Sequence, residues 1–452
     1  MKMKKKLLLL CLLGKLSFLQ AQTLPQGTRL KNVNPAILVG ATVQSGNDEA
    51  TQLLMSNSAL QTTFKREFNL GQTTAYPAWE TWKGLNQYDF SRFNQVVNFF
   101  HDNNIPVAAH LLAGPGVYFP TWFNNGNYSN SELEGILEDY IKSTIQTNGN
   151  DTKVTYWNVA NEALNWDGHY YTNAAECKLQ QLGWENDLSG LTGSSKIHTQ
   201  HPVWVRRALE MARKYTNKKL ELRDYGTDFW DMDKSKAFYQ LVKHLKNSGV
   251  PLDAVGLQGH FPLDGSNDWN KLKRAIQEYK KLGLEVYVTE IDLADKAKSW
   301  SQEKATRQQV QYKQMVQAIV EAGANWICFW GVRDNWNTSW LYNEKPLLFD
   351  ESLSPKPAYY GVQEGLKPVV NSTEEEELGN SSFSVFPNPF SETLHIISEK
   401  EADYEIYNLT GAFVEKGKTM GDATIGKMLP SGLYLMRIKS ANGVSTVKIT
   451  KH

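Results

Sequence analysis

The sequence predicts a (β/α)8 barrel followed by a small all-β sandwich. Between about residues 22 and 370, short apolar runs alternate with longer amphipathic stretches, the pattern of a parallel α/β architecture. The apolar runs number eight, which favours a closed barrel over an open doubly wound sheet. Beyond residue 380 the pattern changes to short alternating segments separated by Pro, Gly and Asn, as in a sandwich.

The elements follow in chain order. Residues 1–21 open on Met1-Lys-Met-Lys-Lys-Lys6, continue through a leucine-rich run from Leu7 to Leu13, and end on Leu19-Gln-Ala21. A basic start, a short apolar centre and a small final residue predict a signal peptide. The run falls well short of the roughly 20 residues a membrane span needs. Cys11 follows Leu10, without the small preceding residue of a lipid-anchoring site. Strands are expected at 37–41, 63–69, 107–110, 155–159, 220–223, 254–258, 285–290 and 326–330. Helical patterns lie between them, at 92–101, 131–145, 202–215, 234–246, 269–282 and 301–321. The first of these carries Phe93, Val96, Val97 and Phe100 at helix spacing. No glycine-rich phosphate loop follows the first strand, which argues against a nucleotide-binding sheet. The barrel domain is expected over 22–370. An acidic linker over 371–380, with Asn371-Ser-Thr-Glu-Glu-Glu-Glu377, is too polar to bury a core. The sandwich occupies 381–452, with strands at 383–386, 394–397, 404–407, 432–438 and 444–449.

Composition narrows the function classes. Lys plus Arg equals Asp plus Glu at 48 each, so no global field favours nucleic acid or an anionic membrane. Fourteen Trp and 20 Tyr suit a protein that stacks on the flat faces of sugar rings, although most such rings fill cores. Cys177 and Cys328, the two cysteines beyond the signal peptide, give neither a disulfide framework nor a metal spacing. An uncharged partner such as a polysaccharide is expected, with no cofactor and no metal, and the chain is expected to work as a monomer.

In such a barrel the reacting groups project from the C-terminal ends of the strands. Those ends carry His110 on the third strand, Asn161 and Glu162 on the fourth, and Gln258 with His260 on the sixth. The seventh ends in Glu290 and the eighth in Trp330. A lone strand-end Glu is as often one half of a salt bridge. Two of them among His, Gln, Asn and Trp fit glycoside cleavage, where one carboxyl protonates the leaving oxygen and the other attacks carbon or activates water.

These residues carry a family resemblance. From about residue 30 to 366 the chain resembles glycoside hydrolase family ten, whose members are mostly endo-β-1,4-xylanases. Trp157-Asn-Val-Ala-Asn-Glu-Ala163 resembles that family's acid/base motif, and Tyr287-Val-Thr-Glu-Ile-Asp292 its nucleophile motif. Gly256-Leu-Gln-Gly-His260, Phe329-Trp-Gly-Val332 and Pro346-Leu-Leu-Phe-Asp350 match in order as well. The resemblance implies Glu162 as acid/base and Glu290 as nucleophile, at the retaining separation of roughly 5–5.5 Å. It also implies His260 aiming Glu290, Asn161 and Gln258 bonding the sugar 2-hydroxyl, and Trp330 and Trp340 stacking on the sugar. His110, Tyr225 and Trp79 complete the implied substrate-binding set. The segments Val385-Phe-Pro-Asn-Pro389, Ile406-Tyr-Asn-Leu-Thr-Gly411 and Leu429-Pro-Ser-Gly-Leu-Tyr434 resemble the C-terminal sorting domain of the type IX secretion system. A carbohydrate-binding sandwich is the alternative, disfavoured by the few Trp there. Secretion through that machinery to the medium or cell surface is the implied localisation.

The sequence also departs from the family. The usual Glu-Asn-x-x-Lys cluster falls on Thr74, Ala75 and Ala78, the usual Trp-His pair after His110 on Gly114-Pro115, and the usual final Arg on Leu341. Arg223-Asp-Tyr-Gly226 stands where the family has Asn-Asp-Tyr-Asn. These changes fall on substrate-gripping positions. Tyr76, Trp79, Trp82, Tyr118 and Trp122 are candidates to rebuild that side as an aromatic one. Three readings follow: an endo-β-1,4-xylanase; the same mechanism on a substituted or mixed-linkage xylan or another β-glycan; and a non-hydrolytic glycan-binding protein on an enzyme scaffold.

Overall fold

A computed structural model describes residues 24–43, 54–74, 81–191, 198–334, 341–368, 383–408, 412–440 and 443–452. The expected signal peptide and linker, Tyr76, Trp79 and Trp340 lie outside the described residues. The chain divides into two units, Met1–Pro368 and Val369–His452.

In the first unit eight parallel strands pair in sequence order and close on themselves. They are β1 Leu38–Val43, β2 Leu70–Thr74, β3 Val107–Ala113, β4 Val154–Asn161, β5 Lys219–Asp224, β6 Ala254–Leu257, β7 Glu285–Ala294 and β8 Trp326–Phe329. β8 returns to β1, with Leu38 opposite Trp326 and Ala41 opposite Phe329. A helix follows each strand: α1 Ser58–Glu67, α2 Ser91–Asp102, α3 Asn130–Gln146, α4 Val203–Tyr215, α5 Asp233–Asn247, α6 Trp269–Lys281, α7 Gln302–Ala322 and α8 Pro357–Gly365. This is the expected (β/α)8 barrel.

One expected strand is a helix. The stretch 63–69 reads as a strand because Thr62, Thr63 and Phe64 favour extended backbone, yet α1 runs to Glu67. Leu60, Thr63, Phe64 and Glu67 are its buried residues, spaced for one helix face, and Asn57 caps it by accepting the Leu60 N–H. The true second strand, Leu-Gly-Gln-Thr-Thr, begins three residues after the helix and is buried along its whole length.

Strand alternation sorts side chains into two cores. Outward residues such as Val39, Leu220, Leu222, Val286 and Val288 pack with the helix stripes. Inward residues Leu70, Ala108, Ala254, Tyr287, Trp326 and Cys328 form a separate cluster with Leu38 and Tyr156. Tyr287 and Trp326 stack there with ring centroids 4.4 Å apart. This apolar plug seals the barrel interior, and the strands carry polar side chains beyond it.

The second unit is one five-stranded antiparallel sheet: β9 Phe383–Phe386, β10 Leu394–Asn408, β11 Phe413–Ile425, β12 Gly432–Ser440 and β13 Gly443–Lys451. The expected segments 394–397 and 404–407 are two halves of the single strand β10. β11 has no expected counterpart, because its exposed lysines, Glu415 and glycines hide the alternation. One edge of β10 pairs first with β9 and then with β12, while β11 follows its other edge throughout. Leu394 and Ile396 from the first half share a core with Tyr404, Ile406, Met436 and Ile438.

Each unit therefore has its own core. A chain ending at Pro368 is expected to keep the near-ultraviolet circular dichroism of the barrel and its full kcat/KM; loss of either would show that the barrel needs the C-terminal sheet.

Candidate active site

The two carboxylates predicted from strand ends stand on differently built supports. Glu162 follows the last residue of β4 with φ +53°, a left-handed conformation costing a side-chain-bearing residue about 1–2 kcal/mol. Its N–H donates to the Arg223 carbonyl at 2.9 Å, and the Leu164 N–H donates to Asp224 Oδ2 at 3.0 Å. Lys234 holds Asp224 in turn, with Nζ 2.9 Å from Oδ1, and also donates to the Leu164 carbonyl at 3.1 Å. Burial raises the Asp224 carboxyl to about 6 against the opposing pull of Lys234. The end of β5 thus fixes the strained turn that presents Glu162.

Glu290 lies within β7, buried at 3% exposure. Its N–H donates to the Gln258 carbonyl at 2.7 Å. Arg223 Nη1 donates to Oε1 at 2.9 Å, and His260 Nε2 lies 3.2 Å from Oε2. The other ring nitrogen of His260 is 2.5 Å from Asp292 Oδ2. Burial alone would push the Glu290 carboxyl up, but the His260 hydrogen bond and the positive fields of His110, Arg223 and His260 hold it down to about 2. Burial likewise opposes the His260 cation, yet Asp292 and Glu290 raise it to about 10. Near neutral pH the group is a carboxylate–imidazolium–carboxylate chain with Glu290 ionised. His110 behaves in the opposite way: burial and then Arg223 push it down to about 4, and the neutral ring sits with Nδ1 2.8 Å from Asn158 Oδ1.

Gln258 joins the two supports. Its Nε2 donates to Glu162 Oε1 at 2.9 Å, while its carbonyl takes the Glu290 N–H. The bond to Glu162 uses one of the two hydrogens of its amide NH2. Asn161 differs: it is fully buried, and neither atom of its amide finds a hydrogen-bond partner among the described residues. An unpartnered buried amide costs about 1–3 kcal/mol and calls for a ligand. Trp330 stands edge-on between the rings of His110 and His260, at centroid distances of 5.8 and 6.0 Å. Tyr225, directly after β5, is half-buried, with Lys234 Nζ 3.0 Å from its ring centroid.

The aromatic rebuilding of the altered side is corrected in part. Trp82 is completely buried, stacked on Tyr140 at 4.4 Å and edge-on to Trp122 at 5.0 Å, so it belongs to the core. Trp122 is held to that core by donating from Nε1 to the Trp82 carbonyl. Tyr118 packs beside Gly114. A Cβ added at Gly114 would lie 2.9 Å from the Tyr118 ring and 3.1 Å from the Asn161 carbonyl, so the tyrosine occupies space that a larger residue 114 would need. Thr74 and Leu341 are both buried.

Sequence reasoning assigned no role to Asp292, to the Asp224–Lys234 pair, or to Glu221, Arg223 and Gln72. The available signal was Leu220-Glu-Leu-Arg223, where alternation sends both charges to the inner face of a buried strand.

A second cluster lies elsewhere, on Asp187, His201 and His244, whose ligand atoms fall within 4.8 Å of one another. Its nitrogens are already paired. His201 bonds Tyr170 at 2.6 Å and Asp187 at 2.8 Å, while His244 bonds Glu185 at 3.0 Å. The Leu188 N–H donates to His244 Nδ1 at 3.0 Å, which puts the ring proton on Nε2 and leaves no lone pair there for a metal.

An ionised carboxylate and a second carboxyl, both at the C-terminal rim of a closed (β/α)8 barrel, define a glycosidase. The family model for glycosyl hydrolase family 10 matches residues 31–365, and the chain belongs to that family. A second model, the secretion system C-terminal sorting domain, matches residues 384–452. Endo-1,4-beta-xylanase B of Thermotoga neapolitana is 27% identical over 308 residues, which cover 66% of this chain and 81% of that protein. Endo-1,4-beta-xylanase Y of Acetivibrio thermocellus is 30% identical over 361 residues, covering 72% of this chain but only 31% of its own greater length. Two solved structures share the fold. Xylanase 10B from Thermotoga maritima has a TM-score of 0.62 at 24% identity, covering 75% of this chain and 98% of that one. Xylanase10C from Cellvibrio japonicus has a TM-score of 0.65 at 21% identity, covering 76% and 74%.

The raised His260 has a definite linkage sign. A group whose folded pKa is above its unfolded value stabilises fully below the unfolded pKa and loses that contribution as pH rises through the folded one. The stability gap between wild type and His260→Gln is therefore expected to be widest below pH 6.5 and to close as pH rises to about 10. Urea unfolding across that range measures it, and a pH-independent gap would contradict the imidazolium assignment.

Proposed function

We propose that this chain is an exported, endo-acting, retaining β-1,4-xylanase with Glu290 as nucleophile and Glu162 as acid/base. The observation that carries the reading is the Glu290 carboxylate, buried yet held ionised by a cation on each oxygen. A buried anion facing the barrel mouth is suited to attack an anomeric carbon. In the first step a Glu290 oxygen bonds to that carbon as the glycosidic C–O bond breaks, and Glu162 gives its proton to the departing oxygen. Water then attacks the glycosyl ester, Glu162 takes the water's proton, and Glu290 returns as carboxylate. The orphaned Asn161 amide is suited to the sugar 2-hydroxyl, a contact that strengthens in the transition state. The xylanase names of the relatives support xylan as substrate. The sorting domain together with the signal peptide at 1–21 supports export to the polymer outside the cell.

Proton magnetic resonance of xylo-oligosaccharide cleavage is expected to show the β-anomer first; initial release of the α-anomer would refute retention. Glu162→Ala should lower kcat/KM by about 10²–10⁴ on xylan. The loss should be much smaller on an activated aryl xyloside, whose leaving group needs no proton.

Tyr118 over Gly114 favours a second reading, in which the same mechanism acts on a substituted or mixed-linkage xylan. Several missing hydrogen bonds on the glycone side, each worth on the order of 1 kcal/mol, would weaken linear xylo-oligosaccharide binding a hundredfold or more. The expected outcome is a higher kcat/KM on decorated or mixed-linkage xylan than on short linear oligosaccharides. Ordinary efficiency on the linear substrates, with no gain on the others, would restore the plain xylanase reading.

A further inference from the structure

Beneath Glu290 the barrel holds a buried charge system that the mechanism above does not use. Arg223 is fully buried on β5 and makes contacts to four side chains. Its Nε and Nη2 donate to Glu221 at 2.8 and 3.1 Å, and Nη2 also donates to Gln72 Oε1 at 3.0 Å. Nη1 donates to Glu290 Oε1 at 2.9 Å and lies 3.2 Å from His110 Nδ1. Gln72 is fixed in turn, donating to Thr42 Oγ1 at 2.8 Å and to the Thr289 carbonyl at 3.1 Å. Room for the Glu221 carboxylate comes from Gly256 on the neighbouring strand, where a Cβ would collide with Glu221 Oε1. The guanidinium is thus clamped in one plane between two carboxylates.

We propose that Arg223, balanced by Glu221, is a positioning residue that orients Glu290 and holds it as the anion from the barrel interior; the inference rests on Glu290 being the nucleophile. The groups facing Glu290 leave this task to Arg223. His260 supports the other oxygen, but it is shared with Asp292 and can lose its proton. His110 on β3 is neutral near neutral pH, pushed down to about 4 by burial and by Arg223, and adds its positive field to Glu290 only in the acid range. Cys328 on β8 stays a thiol, pushed up to about 12 by burial. Glu162, after β4, is a second acid. The guanidinium is the permanent cation on Oε1, while the His260 imidazolium, charged up to about pH 10, is divided between Oε2 and Asp292.

Glu221 gives the arrangement its second property. When Glu290 becomes a neutral glycosyl ester, an arginine paired with it alone would be left as an uncompensated buried cation, which is strongly unfavourable. The bidentate bond to Glu221 keeps Arg223 neutralised through that step, so the intermediate forms without stranding a charge.

The test uses the full chain and three variants. Glu221→Leu/Arg223→Met removes both charges and fills the space, a replacement buried ion pairs commonly tolerate. It is expected to fold, to lose at least tenfold in kcat with little change in KM, and to move the acid limb of the kcat/KM–pH profile up towards the ordinary glutamate value of about 4. Arg223→Lys keeps the charge but loses the fork; its acid limb should stay near the wild-type position while kcat falls. A folded double variant with wild-type kcat and acid limb would overturn the proposal, as would an Arg223→Lys enzyme with undiminished kcat. Glu290→Ala separates the two readings. If it remains active, the nucleophile assignment fails; if it is dead while the double variant is normal, only the role of Arg223 falls.

Discussion

Closure of the barrel is the constraint on which everything else rests. Because β8 pairs with β1 in parallel register, all eight strands end on one rim and no sheet edge is left open. The rim then gathers side chains from positions far apart in sequence: His110, Glu162, Gln258, His260, Glu290 and Trp330. Closure also encloses an interior filled by side chains, with the Tyr287–Trp326 stack in the apolar layer at one end. Polar groups beyond that plug must satisfy one another.

The electrostatics follow from this confinement. Five charged groups share the lower site: Glu221, Glu290 and Asp292 against Arg223 and His260. Burial would disfavour each of them alone, and pairing reverses the outcome for Glu290 and His260. The site is therefore a single coupled object in which no member has an intrinsic acidity of its own. Asp224 and Lys234 form a separate pair beside it, tied to the turn after β4 rather than to Glu290.

Most of the barrel was legible in the sequence because its strands are short apolar runs and its helices have clean 3.6-residue stripes. The second strand was not. Leu-Gly-Gln-Thr-Thr has one large apolar residue, since Gln72 points inward to serve the buried polar layer, and the preceding Thr-Thr-Phe of α1 imitated a strand. The strand-end carboxylates, His260 and Trp330 were legible because topology alone says where reacting groups emerge. The inward pair Glu221 and Arg223 was visible as alternating charge in a buried strand, but their partners come from β2, β3 and β7, and no local pattern announces such contacts. Trp82 misled for a related reason: an indole near a site in sequence can point into the core, and only packing distinguishes the two.

The backbone at Glu162 bears on how inactive controls are chosen. At φ +53° the residue occupies a region that glycine enters freely and alanine does not. Removing the carboxyl with alanine therefore leaves the strained turn in place, whereas glycine removes the carboxyl and relaxes the chain together. The two silent variants are not equivalent blanks. Both forms can hold the turn, which the Arg223 carbonyl and Asp224 fix, but a glycine form can gain stability for reasons unrelated to the lost carboxyl.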